Sequence, residues 1–334
     1  MQMKNYSSLC ELQGVFLTFF IVLFLVSEAK PQSMSDSAGE INLADPTIFF
    51  HDKIYYLYGT VDQNVNNGFT VYTSTDLENW EGPKGATDGY ALHKTNVFGD
   101  KGFWAPQVFV YGDKFYMAYT ANENIAIAES NSPLGPFKQA KKEALAAPVK
   151  QIDPFVFMDD DGKKYLYHVR LKDGNRIFVA EMEDDLSGIK EETLVECISA
   201  EEPWENTENV SWPVAEGPSV LKKDGLYYLI YSANDFRNID YGVGYAVSSH
   251  PLGPWEKFDG NPIITRKDLK VNGTGHGDFL KDENGKLIYV FHTHQSDEAV
   301  APRKTAIINL SFDDKAVLEM EYPSFYYPNL DSQK

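Results

Sequence analysis

The stretch Asp153–Val169, "DPFVFMDDDGKKYLYHV", decides the fold. An acid and a proline open a short apolar run, a polar turn with Asp-Gly follows, and a Tyr-rich run closes the phrase. Apolar runs of this length bounded by turn residues read as β-strands. Asp-Gly between two of them is a strong hairpin signal, because both central residues of a type I′ turn need positive φ.

The phrase recurs along the chain. It appears as "DPTIFFHDKIYYLYGT" from Asp45, "APQVFVYGDKFYMAYT" from Ala105, "GPSVLKKDGLYYLIYS" from Gly217 and "HGDFLKDENGKLIYVFHT" from His276. The copies lie roughly 50 to 65 residues apart, a spacing that fits a propeller blade better than a helical repeat. A third strand follows in most copies and ends near an aromatic residue: Trp80, Phe137 and Trp255. The phrase Ser-x-x-Pro-Leu-Gly-Pro-aromatic occurs twice, from Ser130 and from Ser248, so the repeat extends past the hairpin. Long amphipathic helical patterns are lacking. The fold class expected is therefore all-β, a single-domain five-bladed β-propeller of four-stranded blades. A β-sandwich with insertions is the rival, and it leaves the common opening of the copies unexplained.

The chain has 334 residues and a formal net charge of −19, which argues against nucleic acid as a partner and favours a neutral ligand. At the N-terminus, Lys4 precedes an apolar run from Val15 to Val26 and the small residues around Ala29, the pattern of a secretory signal. The expected organisation is a signal over residues 1–29, a polar leader over 30–40 and the propeller over 41–334, with the mature protein secreted or periplasmic, not held in a membrane, and monomeric. Signal removal takes Cys10 and leaves Cys197 alone, so no intramolecular disulfide is expected.

In a propeller the first strand of each blade lines the central channel, and ligands bind where these strands meet. Aligning the copies on their first strands puts Asp45, Ala105, Asp153, Gly217 and His276 at one position, with Glu216 one residue ahead. Any one of these acids alone reads as a turn former. Together they would repel in a partly dehydrated funnel, a cost that folds accept mainly at functional sites.

The motifs "ADPTI" at Ala44, "WAPQV" at Trp104, "IDPFV" at Ile152, "EGPSV" at Glu216 and "GTGHGDF" at Gly273 resemble those of glycoside hydrolase family 43, the five-bladed propeller arabinofuranosidases, xylosidases and arabinanases. The resemblance runs from about Ile41 to the end. It implies that Asp45 is the general base, Glu216 the general acid, and Asp153 the residue that orients the acid and raises its pKa. It also implies that Trp104 lines the sugar pocket, that Arg303 reaches toward the acid or a sugar hydroxyl, and that His276 sits at the channel, in some relatives near calcium or an ordered water. Asp278 departs from the family pattern by adding charge near His276. No cofactor is required on this reading, and calcium near His276 stays open, since imidazole suits a hard ion poorly. His292 and His294 lack the further ligands of a zinc site. His294 is a candidate for the pocket rim, and the acidic stretch Glu196–Val210 reads as an exposed loop there.

The reaction implied is hydrolysis with inversion of an arabinose- or xylose-containing plant glycan, which needs one protonated and one ionised carboxyl about 6.5 to 9.5 Å apart. An exo-acting α-L-arabinofuranosidase is the leading expectation, because the chain ends soon after its fifth copy; β-xylosidase and endo-arabinanase are the alternatives within the family. A retaining fructan hydrolase would carry Asn-Asp-Pro, Arg-Asp-Pro and Glu-Cys, which this chain lacks. A carbohydrate-binding propeller without activity would have lost one of the three acids, and all are present.

Overall fold

The computed structural model describes residues 39–331, and the expected signal over 1–29, with Cys10 and most of the leader, lies outside the described residues. Five antiparallel sheets follow one another in chain order, each opening with one of the repeated hairpins. The inner strands are Ala44–His51, Trp104–Tyr111, Gln151–Met158, Ala215–Lys223 and Gly275–Lys281. They define blades one to five. Among the described residues the one α-helix is the single turn Arg266–Leu269.

Blades three, four and five have four strands, whereas blades one and two have three. In these two the expected outer strand is reduced to one bridge, Thr73 with Glu81 and Glu129 with Lys138. Each bridge is closed by a reciprocal pair of 2.9 Å backbone hydrogen bonds. The hairpin turns differ among themselves as well. Lys223 pairs with Leu226 across a two-residue turn in which Asp224 and Gly225 both have positive φ, as type I′ demands. Longer loops join Met158 to Lys164 and Lys281 to Leu287, and of Asp161-Gly162 and Asn284-Gly285 only the glycines are left-handed. The extra Asp and Glu residues lengthen these loops into the forms that need a single left-handed position.

Apolar residues at successive positions of a strand face opposite neighbours, which explains why the strands are apolar on both faces. Tyr56 packs between blades one and two, while Tyr55 packs between blades one and five. Tyr227 and Tyr228 divide in the same way between blade three and blade five. Each of the blade interfaces has its own apolar cluster, so the core is a ring of wedges and not one central mass. The repeated Pro-Leu-Gly-Pro turns belong to these interfaces. Tyr58 of blade one donates to the Pro133 carbonyl at 2.6 Å, and Tyr167 of blade three donates to the Pro251 carbonyl at 2.6 Å. Trp255 packs edge-on against Tyr167, and Trp80 and Phe137 are fully buried, consistent with aromatics that seal blades.

Near the start of every inner strand the pairing slips by one residue. The residues at the slip are Asp45, Ala105, Asp153, Gly217 and His276, with φ of 47°, 47°, 55°, 60° and 44°. Left-handed backbone costs a residue with a Cβ roughly 1–3 kcal/mol, so something must hold it. A side chain of the preceding blade does so in four cases. The N–H of Ala105 donates to Thr60 Oγ1 (3.0 Å), that of Asp153 to Thr120 Oγ1 (3.0 Å), that of His276 to Ser232 Oγ (2.7 Å) and that of Asp45 to His292 Nδ1 (3.1 Å). In the fifth case the register-equivalent residue is Val169, which has no acceptor, and Gly217 N–H donates instead to Asp153 Oδ2 at 3.2 Å.

Replacing Thr120 by Val leaves the buried Asp153 N–H unpaired. Chemical denaturation is expected to show a loss of about 1–3 kcal/mol, with Thr120→Ser keeping most of the stability. Equal stability of the Val variant would show that this ring of bonds does not hold the bulges.

Candidate active site

The bulges determine what faces the channel mouth. Where pairing slips, the left-handed residue or the one before it, and in blade three both, presents its side chain to one cavity, a re-aiming that bulges commonly provide. Asp45, Asp153 and His276 occupy the left-handed position, while Trp104, Ile152 and Glu216 occupy the preceding one, and all six line a cavity of about 650 Å³. Glu216 takes the earlier position because blade four has glycine at the later one. A Cβ on Gly217 would come within 2.8 Å of the His276 ring.

The structure brings Asp45, Trp104, Asp153, Glu216, His276 and Arg303 to one cavity. His276 Nδ1 lies 3.5 Å from Asp45 Oδ1 and 3.9 Å from Asp153 Oδ2. Arg303 also lines the cavity, yet its guanidinium goes to Asp45, Nη1 to Oδ1 at 3.0 Å, and not to Glu216 as the resemblance allowed. Asp62 fixes it from the other side, accepting from Nη2 at 2.9 Å and from the Arg303 backbone N–H at 2.8 Å. The Phe236 ring stacks under the guanidinium at 4.6 Å. His294 is not at the rim; it is buried, with Nε2 2.8 Å from the Phe236 carbonyl. The acidic stretch Glu196–Val210 is only partly an exposed loop. It begins in the outer strand Val195–Ile198, and Glu205 is buried beneath Tyr231 and Lys257, with contacts of 2.6 Å each. Its continuation carries Trp212 and Val214 to the cavity wall.

Sequence reasoning missed the partners of Glu216. Tyr241 donates to Oε1 and Asn175 Nδ2 to Oε2, each at 2.9 Å. Neither residue belongs to a repeated phrase, and no local signal marks them. Asp62, Asp235, Phe236 and Arg237 were missed for the same reason, since they come from turns between strands.

The acids differ in electrostatic setting. Burial pushes the Asp45 carboxyl up, but Arg303 and then His276 outweigh it and hold the group well below the ordinary range. Glu216 has no cation within hydrogen-bond reach. Burial raises it to about 7, against the bonds from Tyr241 and Asn175 and with help from the charges of Asp45 and Asp235. Asp153 is also raised, by burial and then by Glu216 and Asp45. Asp153 and Glu216 therefore act as one unit that retains a proton near neutrality, while Asp45 stays ionised. One carboxylate and one carboxylic acid facing a common cavity can perform paired base and acid chemistry.

Calcium near His276 would want six to eight oxygens. Asp45 is engaged by Arg303, Asp153 by the Gly217 N–H, and Asp278 by Thr47 at 2.7 Å and the Phe279 N–H at 2.7 Å. Among the described residues no group of three or more His, Cys, Asp or Glu side chains is placed to hold a metal ion. The protein oxygens present do not make such a shell. Asp278 faces a smaller pocket farther down the channel, with Thr47 and Gln107, and burial raises it to about 6.

The family model for glycosyl hydrolases family 43 matches residues 39–317. A crystal structure titled endo-1,4-beta-xylanase from Bacteroides thetaiotaomicron superposes with a TM-score of 0.81 and is 42% identical, over 88% of this chain and 98% of that one. The beta-D-galactofuranosidase xynD of Aspergillus niger is 26% identical, over 81% of this chain and 80% of its own length. A xylosidase/arabinosidase of Butyrivibrio fibrisolvens is 30% identical over 67% of this chain, which spans 44% of that relative.

Arg303→Met removes the cation from a buried carboxylate, so the loss of stability near neutral pH is expected to be about 3–5 kcal/mol. Asp45 has a lowered folded pKa, so its contribution is present above the unfolded pKa and fades as pH falls through the folded one. The deficit of the variant should therefore shrink on acidification, and carbon-13 NMR should show the Asp45 carboxyl titrating higher than in the parent. An unmoved Asp45 titration would contradict the pairing.

Proposed function

The chain belongs to glycosyl hydrolases family 43, and on that premise we propose that it is an inverting exo-glycosidase that releases terminal pentose units, α-L-arabinofuranosyl first, from plant glycans. The observation that carries this reading is the contrast in one cavity between Asp45, held ionised by Arg303, and Glu216, raised to about 7 by burial.

Glu216 gives its proton to the glycosidic oxygen as the bond from the anomeric carbon to that oxygen breaks. Asp45 takes a proton from a water whose oxygen bonds to the anomeric carbon from the opposite face, which inverts the configuration. Asp153 accepts the Gly217 N–H beside the acid and so orients it, and its proximity resists a second negative charge. Trp104 offers an aromatic face to the sugar ring. Arg303, fixed between Asp45 and Asp62, keeps the base ionised and offers its edge to a sugar hydroxyl. A cavity of about 650 Å³ is in the range for a small ligand, which favours removal of terminal units over cleavage within a polymer. The N-terminal apolar segment supports export, and one copy of the chain supplies every group invoked.

A β-xyloside substrate is the second reading. It is favoured by the 42% identity to a protein titled endo-1,4-beta-xylanase and by the xylosidase/arabinosidase among the relatives.

Turnover of aryl α-L-arabinofuranoside, aryl β-xyloside, linear arabinan and the matching oligosaccharides tests both readings. Asp45→Asn is expected to lower kcat on each substrate about 10²–10⁴-fold, and Glu216→Gln to do so on oligosaccharides, with a smaller loss on aryl glycosides that leave without a proton. Wild-type turnover in both variants would sink the mechanism, and binding without turnover by the parent would favour a lectin.

The pH profile of kcat/KM should fall above about pH 7, where Glu216 loses its proton, and hold well below the usual carboxylate range on the acid side, where Asp45 remains ionised. Proton NMR of the first-formed sugar should show the inverted anomer; the retained anomer would overturn inversion.

A further inference from the structure

Trp212 is the exposed aromatic on the cavity wall, with 48% of its surface open, yet it is fixed in place. Its indole N–H donates to Asn175 Oδ1 at 2.9 Å. The next residue is held too, because the Asn175 backbone N–H donates to the Pro213 carbonyl at 2.9 Å. Gly174 allows that approach, since a Cβ there would meet the Pro213 oxygen at 2.6 Å. The segment leading to Trp212 is tied to the neighbouring turn as well. Thr207 N–H donates to Asn234 Oδ1 at 2.8 Å, and Asn238 donates to Thr207 at 3.0 Å.

An indole N–H only donates, so it dictates which end of the Asn175 amide faces it. The amide nitrogen is left to face Glu216, where it donates to Oε2 at 2.9 Å. A single residue thus connects an open aromatic face to the carboxyl that protonates the departing oxygen. The space beside that carboxyl on the solvent side is where the departing group must lie.

We infer that Trp212 is the platform for the departing sugar ring and that Asn175 is a positioning residue which, oriented by Trp212, holds Glu216 in place; this rests on the reading of Glu216 as the general acid. The ligand class is a carbohydrate residue on the leaving side of the bond cleaved, stacked on the indole face. The groups facing Glu216 are Asp45 and Asp153 from inner strands, and Asp235, Arg237 and Tyr241 from the turn beyond blade four's second strand. Among them, the Asn175 N–H favours the ionised acid, so its loss or reversal moves the alkaline limb upward.

The test uses the full chain with arabinotriose or xylotriose, whichever is turned over, and the methyl glycoside of the same sugar, which has no ring to depart. Trp212→Ala is expected to reduce the preference for the trisaccharide, in kcat/KM, about tenfold. Trp212→Phe keeps a ring but loses the N–H, and Asn175→Ala loses the amide. Both are expected to move the alkaline limb of kcat/KM upward by roughly one pH unit. A wall residue with only a structural role would not move that limb. An unchanged trisaccharide preference in Trp212→Ala, or an unmoved limb in both of the other variants, overturns the inference while leaving the acid assignment intact. Full turnover by Glu216→Gln overturns both.

Discussion

The structure depends on how each blade holds the first turn of the next. Five residues in left-handed backbone stand in a circle around the channel mouth, and each has a buried N–H that must find an acceptor. Thr60, Thr120, Ser232 and His292 meet that need from the preceding blade, at register positions that correspond to one another. These hydrogen bonds sit at the same depth as the cavity. The contacts that close the ring of blades therefore also set the aim of the acids. Hydrophobic wedges farther out supply bulk stability, but they fix neither the slip in pairing nor the direction of the side chains that follow from it.

The one break in the circle is informative. Blade three has Val169 where the others have a hydroxyl or an imidazole, and Asp153 fills the vacancy with its own carboxylate. That oxygen is thereby committed to the backbone of the residue that follows Glu216. Asp153 thus joins two tasks, closing the circle and standing beside Glu216. The contrast with Asp45 is physical. Asp45 has a guanidinium, itself clamped by Asp62 and Phe236, whereas Asp153 and Glu216 have only neutral donors. Two acids that lack a cation and share a buried space cannot both ionise cheaply, while the third does so readily.

Much of the fold was legible because the repeat is written in local chemistry. Turn dipeptides, Tyr-rich strands and a common acid or small residue at each strand mouth are signals of neighbouring residues, and they point to Asp45, Asp153, Glu216, Trp104 and His276, whose side chains line one cavity. The offset of Glu216 was visible in the alignment, and its cause, a glycine that must avoid the His276 ring, was not. Arg303 was found but not its partner, since its choice of Asp45 depends on Asp62, which lies in a short turn far away in sequence. Asn175, Trp212 and Tyr241 could not be found because they come from segments outside the repeat, where contact is decided by how loops lie across the blades. The shortened edges of blades one and two escaped for a similar reason: an outer strand has one neighbour, and a single bridge satisfies it.

Blade five closes on blade one through the very residues that hold Asp45. The Asp45 N–H rests on His292, its carboxylate on Arg303, and the strand containing Arg303's neighbour Thr305 grips Ile41 and Leu43 at 3.0 Å each. A growing chain that emerges from its N-terminus presents Asp45 early but cannot pair it until residues some 258 positions later have folded against it. Asp45 thus gains its buried imidazole and guanidinium partners only when the last wedge locks the first.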